Sequence, residues 1–237
     1  MSKRLLRQSL AALIPSGDAF DLSWSQSGAH LESRMMCGWF AANAPRQTLA
    51  ETALQWGLPR AMVLNWLQAS NGRDVGFTVN RDLTSFRLYT HGWAGEVPAK
   101  NETIFTGYKA LSDGRYRVDQ YGFRGDLRDT ENTGLAVGSE LLKTAIIRIV
   151  GQAPAEVPLV FTTISNPGRQ SWLATVRHGN FDAGMVTPDL GGFKLAHLAG
   201  GVDANKGSFA SFYVSASPIQ AMKFISDQPF SSLDAIR

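Results

Sequence analysis

Ser85-Phe86-Arg87-Leu88-Tyr89-Thr90-His91 and Arg115-Tyr116-Arg117-Val118-Asp119-Gln120-Tyr121 each switch, residue by residue, between two chemistries. Side chains alternate faces along a β-strand, so residues two apart share a side. Ser85, Arg87, Tyr89 and His91 then form one face of the first segment, with Phe86 and Leu88 on the other. In the second, Arg115, Arg117, Asp119 and Tyr121 oppose Tyr116 and Val118. The division recurs where Arg169, Ser171, Thr175 and Arg177 align around Leu173, with Trp172, Ala174 and Val176 opposite. It recurs again where Phe209, Ser211, Tyr213 and Ser215 oppose Phe212 and Val214. One face is apolar and must be covered; the other carries Arg, Tyr, Ser and Thr.

Working outward, each segment is the returning strand of a hairpin. The spacing predicts hairpins over residues 74–92, 103–123, 158–178 and 193–216, turning near Asn80-Arg81-Asp82, Ser112-Asp113-Gly114, Asn166-Pro167-Gly168 and Asp203-Ala204-Asn205-Lys206-Gly207. Asp-Gly supplies the positive-φ residues that tight hairpins need. Between the second and third hairpins, residues 138–151 predict a helix with Leu141, Leu142, Ala145, Ile146 and Ile149 on one face. Residues 217–226 predict a last helix with Ser217 as its N-cap. Residues 1–70 read as a helical N-terminal part, in which Gly57 and Pro59 separate two helices and Cys37 sits beside Met35, Met36 and Trp39 as a buried, inert thiol. The whole chain, 1–237, reads as one α+β domain.

Composition narrows the function classes. With 44% hydrophobic and 18% charged residues the chain is ordinary globular protein. A single cysteine rules out a disulfide framework or a cysteine-rich zinc module and fits a reducing compartment, so a cytoplasmic protein is expected. No run approaches the roughly 18 apolar residues of a membrane-spanning helix, and Arg7 and Gln8 interrupt the apolar start too early for a secretory leader. Net charge is only +3 and no Lys/Arg block stands out, so neither membrane nor nucleic acid is an expected partner.

Two architectures satisfy the alternation. In an open two-layer sheet the polar face meets water; in a closed antiparallel barrel, or a strongly curved sheet, of about eight or more strands with helices outside, it lines a lumen. Arginine and tyrosine, large and rich in hydrogen-bonding groups, favour the lumen over the Lys, Glu and Thr of a solvated face. The only acid in these rows is Asp119, so gathered arginines there call for an anion, most naturally a phosphate.

The hairpins resemble those of the ABBA-type aromatic and peptide prenyltransferases, in which a Gly-aromatic-x strand is followed after a turn by a strand with Arg or Lys two residues before Tyr. That pattern appears as Val75-Gly76-Phe77-Thr78 with Phe86-Arg87-Leu88-Tyr89, as Thr106-Gly107-Tyr108-Lys109 with Arg117-Val118-Asp119-Gln120-Tyr121, and as Gly200-Gly201-Val202-Asp203 with Ser208-Phe209-Ala210-Ser211-Phe212-Tyr213. The chain departs from that family in the short connections joining the first hairpin to the second and the third to the fourth. The resemblance implies a transferase that moves an allylic isoprenoid from its diphosphate to an aromatic or peptide acceptor. It implies diphosphate contacts from Arg87, Lys109, Arg117, Arg177 and Lys194, with Tyr89, Tyr121 and Tyr213 as hydroxyl donors. Trp93, Phe105, Phe161 and Phe209 are the candidate rings beside an allylic cation, and Asp119 and His91 are best placed by parity to take the final proton. No cofactor is expected; magnesium is left open, but there is no acidic metal motif, since Asp126-x-x-Asp129-x-Glu131 lacks the second acidic cluster of a magnesium-diphosphate site. Two other functions satisfy the same residues: a non-catalytic barrel that binds an anionic small molecule, and an assembly factor that presents the polar face to an acidic protein. His30, His91, His178 and His197 have no close metal spacing, and the chain carries no phosphate loop, Gly-x-Ser-x-Gly elbow or dinucleotide fingerprint.

Overall fold

Antiparallel pairing runs without interruption around the computed structural model. It describes residues 3–27, 30–92, 99, 101–111, 113–126, 128, 140–152, 159–166, 169–176, 195–203 and 207–226. The strands are β1 (Ala19–Ser27), β2 (His30–Trp39), β3 (Asp74–Asn80), β4 (Phe86–His91), β5 (Thr103–Ala110), β6 (Tyr116–Asp126), β7 (Leu159–Asn166), β8 (Arg169–Val176), β9 (Leu195–Asp203) and β10 (Gly207–Ser215). Each pairs with its chain neighbours, and β1 pairs with β10 from Asp21↔Ser215 to Gln26↔Ala210, which closes the barrel. Closure removes both sheet edges and turns the polar face of every strand toward an interior.

The β1–β2 hairpin corrects the helical reading of residues 1–70. Phe20, Leu22 and Trp24 alternate with Asp21, Ser23 and Ser25, a strand pattern. In β2, Met35, Cys37 and Trp39 point outward and are buried, while Met36 points inward, so both faces are apolar and the two-residue period is blurred. Cys37 is fully buried in this strand rather than in a helix, and burial, aided by the nearby Asp18 charge, pushes its thiol well above the usual range.

Helices α1 (Lys3–Leu13), α2 (Arg46–Gln55), α3 (Arg60–Ala69), α4 (Glu140–Gln152) and α5 (Pro218–Ile225) accompany the barrel. Their apolar positions join the outward side chains of the strands in one cluster that includes Leu10, Leu49, Trp66, Phe77, Leu88, Leu198, Val214 and Phe224. Phe77 stacks on Phe86 with centroids 5.4 Å apart. The Trp66 indole, fully buried, donates from Nε1 to the Tyr89 carbonyl at 3.0 Å and so ties α3 to β4. The N-cap expected at Ser217 is present as a capping box: Gln220 N donates to its Oγ at 3.2 Å, and its own N–H donates to Gln220 Oε1 at 2.7 Å. Gly114, at φ +79° behind Asp113, turns β5 into β6 as the Asp-Gly pair predicts. No helix among the described residues is long and apolar enough to cross a membrane.

Candidate functional site

Three cations stand side by side across three adjacent strands. The register pairs Arg87 of β4 with Lys109 of β5, and Lys109 with Arg117 of β6. Tyr89, Gly107 and Asp119 form the next row, and His91, Phe105 and Tyr121 the row beyond. Gly107 has a steric reason: a Cβ there would come within 2.9 Å of Tyr89 Cε1, so its hydrogen atom leaves space for the phenol ring. The rings form a continuous belt. Tyr89 stacks on Phe105 at 4.7 Å, and Tyr121 and His91 meet Phe105 edge-on at 5.0 and 5.9 Å.

These side chains line a cavity of about 270 Å³ in the lumen. Arg87, Tyr89, Lys109, Arg117, Tyr121 and Tyr213 all border it, as do His91, Phe105 and Phe209. Arg177, Lys194, Trp93 and the side chain of Phe161 lie outside the described residues, as do Asp129 and Glu131 of the acidic loop; Asp126 pairs with Arg128 at 2.9 Å. The opposite wall carries Ser23 and Ser25 from β1, Ser211 and Tyr213 from β10, and His197 from β9. His197 Nε2 lies 3.5 Å from Asp21 Oδ2 and its ring meets Tyr213 edge-on at 5.7 Å.

Sequence reasoning missed the contribution of β2. Glu32, Arg34 and Met36 face the cavity, and Arg34 Nη2 donates to Glu32 Oε2. The lumen therefore holds more acid than Asp119 alone. The signal was the alternation from Phe20 to Ser25, which would have placed a fifth hairpin next to the others.

Like charges directly opposite on neighbouring strands destabilise a sheet, so the Arg87–Lys109–Arg117 row needs compensation. Part comes from Asp119, whose Oδ2 accepts from Arg117 Nη2 at 2.8 Å and whose Oδ1 lies 2.6 Å from Arg117 Nε, an ion contact in which Nε makes no hydrogen bond. Asp119 is buried beside that guanidinium. At Arg87 burial works against the charged form, but the phenols of Tyr89, Tyr121 and Tyr213, with a hydrogen bond to Tyr89, outweigh it and raise the proton affinity of the guanidinium. Arg87 thus remains cationic at every working pH, and its buried Nε has no hydrogen-bond partner. Among the described residues no group of three or more His, Cys, Asp or Glu could hold a metal ion.

No protein-family model matches the chain, and no curated protein sequence does. Solved structures do match by fold. The 5-dimethylallyltryptophan synthase of Streptomyces coelicolor superposes with a TM-score of 0.58 at 13% identity, over 91% of this chain and 90% of that one. The same enzyme in complex with DMASPP and Trp gives 0.56 at 12% identity, covering 89% and 81%. The prenyltransferase PriB in its ternary complex with L-tryptophan and dimethylallyl thiolodiphosphate gives 0.54 at 13% identity, covering 84% and 80%. In architecture the chain is an ABBA-type barrel, the fold of these aromatic prenyltransferases.

Proposed function

We propose that the chain is a prenyltransferase-like enzyme that holds an allylic isoprenoid diphosphate in the barrel lumen and transfers the isoprenoid to an aromatic acceptor. The observation that carries this reading is the row of Arg87, Lys109 and Arg117, in register on adjacent strands and facing the lumen cavity. The row is costly when empty and complementary to a multiply charged anion. The fold neighbours crystallised with a dimethylallyl thiolodiphosphate and tryptophan support the substrate class.

The chemistry follows from the layering of the lumen. The allylic C–O bond breaks and its electron pair leaves with the diphosphate, whose growing charge is met by the guanidinium and ammonium groups already in place. The faces of Tyr89, Phe105 and Tyr121, one and two rows along, flank the allylic cation. The acceptor ring attacks the cationic carbon and then loses a proton. Of the residues expected to take it, Asp119 is bound through both oxygens to Arg117 and serves to position that arginine. His91 faces the cavity beside Phe105, and His197 faces it from the opposite wall with the Asp21 carboxylate behind it. His197 is the second candidate base, on the wall across from His91.

The test is incubation with dimethylallyl diphosphate and a panel of indole and phenol acceptors, with product detected by mass and by pyrophosphate release. The reading expects an acceptor carrying one added isoprenoid from wild type and none from Arg87→Gln. Release of pyrophosphate without transfer to any acceptor, or no release at all, would leave a non-catalytic anion-binding barrel in its place.

A further inference from the structure

The two walls of the lumen differ in side-chain size. In the closed strand order β10 stands across the barrel from β5. On the β4–β6 wall the inward positions carry long side chains: Arg87, Lys109 and Arg117, then Tyr89, Phe105 and Tyr121. On the facing wall short side chains sit between the larger Tyr213 and Phe209. Ser25 of β1 pairs with Ser211 of β10, and Ser211 with Ala199 of β9. Ser23 is two residues along β1, opposite Tyr213. Short residues here leave room against β1 and β10, across from the cations, and that is where an acceptor ring fits.

These short residues are mostly serines, and their hydroxyls are under-used. Ser23 is 4% exposed, borders the cavity and makes no hydrogen bond to any described residue. Ser171 of β8, 8% exposed and on the same cavity, makes none either. Ser25 Oγ and Ser211 Oγ bond only to each other, and Ser211 is 2% exposed. A hydroxyl donates once and accepts twice, so each of the four keeps capacity that the protein does not fill. Water can serve an open lumen, but a bound ring displaces it. A ring edge made only of C–H groups would leave the hydroxyls buried and unpaired, whereas hydroxyl groups on the ring would take over the hydrogen bonds of the water.

We infer, resting on the reading that the lumen joins an allylic diphosphate to an aromatic acceptor, that the acceptor is a ring bearing two or more hydroxyl groups, whose polar edge lies on Ser23, Ser25 and Ser211. An indole offers a single N–H and cannot replace water at several hydroxyls. The three serines thus select the acceptor, while the facing wall holds the diphosphate. Ring hydroxyls also donate electron density to the carbons beside them, as capture of an allylic cation requires. One such carbon forms the new bond to the isoprenoid, the C–O electron pair leaves with the diphosphate, and the ring proton passes to a lumen histidine.

The test is calorimetric titration of the full chain, saturated with dimethylallyl thiodiphosphate, with 2,7-dihydroxynaphthalene, 2-naphthol and indole, using wild type and the Ser23→Ala, Ser211→Ala double variant. Wild type should bind the diol at least about tenfold more tightly than indole, with 2-naphthol between them, the size expected when buried hydroxyls gain partners they otherwise lack. The double variant should bind indole as wild type does and lose most of the preference. Equal or tighter binding of indole by wild type overturns the proposal, as does a preference that survives in the double variant. If the double variant fails to fold, each single variant should lose about threefold of the preference, and an undiminished preference in both overturns the proposal. Failure of the thiodiphosphate itself to bind removes the diphosphate reading and this inference with it, whereas thiodiphosphate binding without a preference for the diol removes only the acceptor class.

Discussion

Leu88 and Arg87 are neighbours in β4 and belong to different problems. Leu88 points outward, fully buried among the helices and the apolar faces of the strands, while Arg87 points into the lumen beside Lys109. The outer face is made of residues whose environment satisfies them: Phe77 on Phe86, Trp66 on the Tyr89 carbonyl. The inner face is made of residues whose environment satisfies them only in part, with a cationic row and a buried Arg87 Nε that has no hydrogen-bond partner. The proposed function assigns stability to the first and recognition to the second, a difference that can be measured residue by residue.

The largest effect belongs to the outer face. Leu88→Ala should lower unfolding stability by about 3 kcal/mol, the usual cost of a cavity in a packed core, while the fraction that remains folded binds pyrophosphate as wild type does. A negligible change in a denaturant melt would mean that the two faces are inverted. Arg117→Ala sharpens the comparison because it stands between the two classes. Losing the guanidinium takes the ion-pair partner Arg117 from the buried Asp119 carboxylate, so about 2 kcal/mol of stability should go together with anion binding. Replacing both, Arg117→Met with Asp119→Leu, should recover the stability and leave the binding lost; failure to recover it would show that the pair is not what holds this part of the wall. The smallest effect is expected at Gly107→Ala, about 1 kcal/mol, because the new methyl group must push the Tyr89 ring aside. Its signature is weaker anion binding through the displaced Tyr89 hydroxyl, and unchanged binding would show that this phenol is not a contact.

The same contrast explains what the sequence revealed. Where inner and outer residues differ sharply, as in Phe86-Arg87-Leu88-Tyr89, a period of two is visible without any structure, and four hairpins, with Arg87, Tyr89, Arg117, Tyr121 and Tyr213 facing inward, were legible from it. In β2 Met36 faces the lumen between the outward Met35 and Cys37, so the contrast disappears and a strand resembles an apolar helix. With that hairpin went Arg34, Glu32 and Asp21, the residues that make the far wall and mouth of the cavity chemically distinct. Parity also places Asp119 on the inner face correctly but cannot show that Arg117, two residues away, engages both of its oxygens. That depends on side-chain rotamers within a closed lumen, which no spacing encodes.

The central claim, that the inner face is an allylic-diphosphate site, is tested most directly by titrating wild type and Arg87→Gln with dimethylallyl thiodiphosphate, against inorganic pyrophosphate as reference and with and without magnesium. The account predicts that wild type binds the thiodiphosphate more tightly than pyrophosphate, and that Arg87→Gln loses at least about tenfold in affinity while melting at the wild-type temperature. Equal binding by the two proteins, or no binding by wild type, would contradict it.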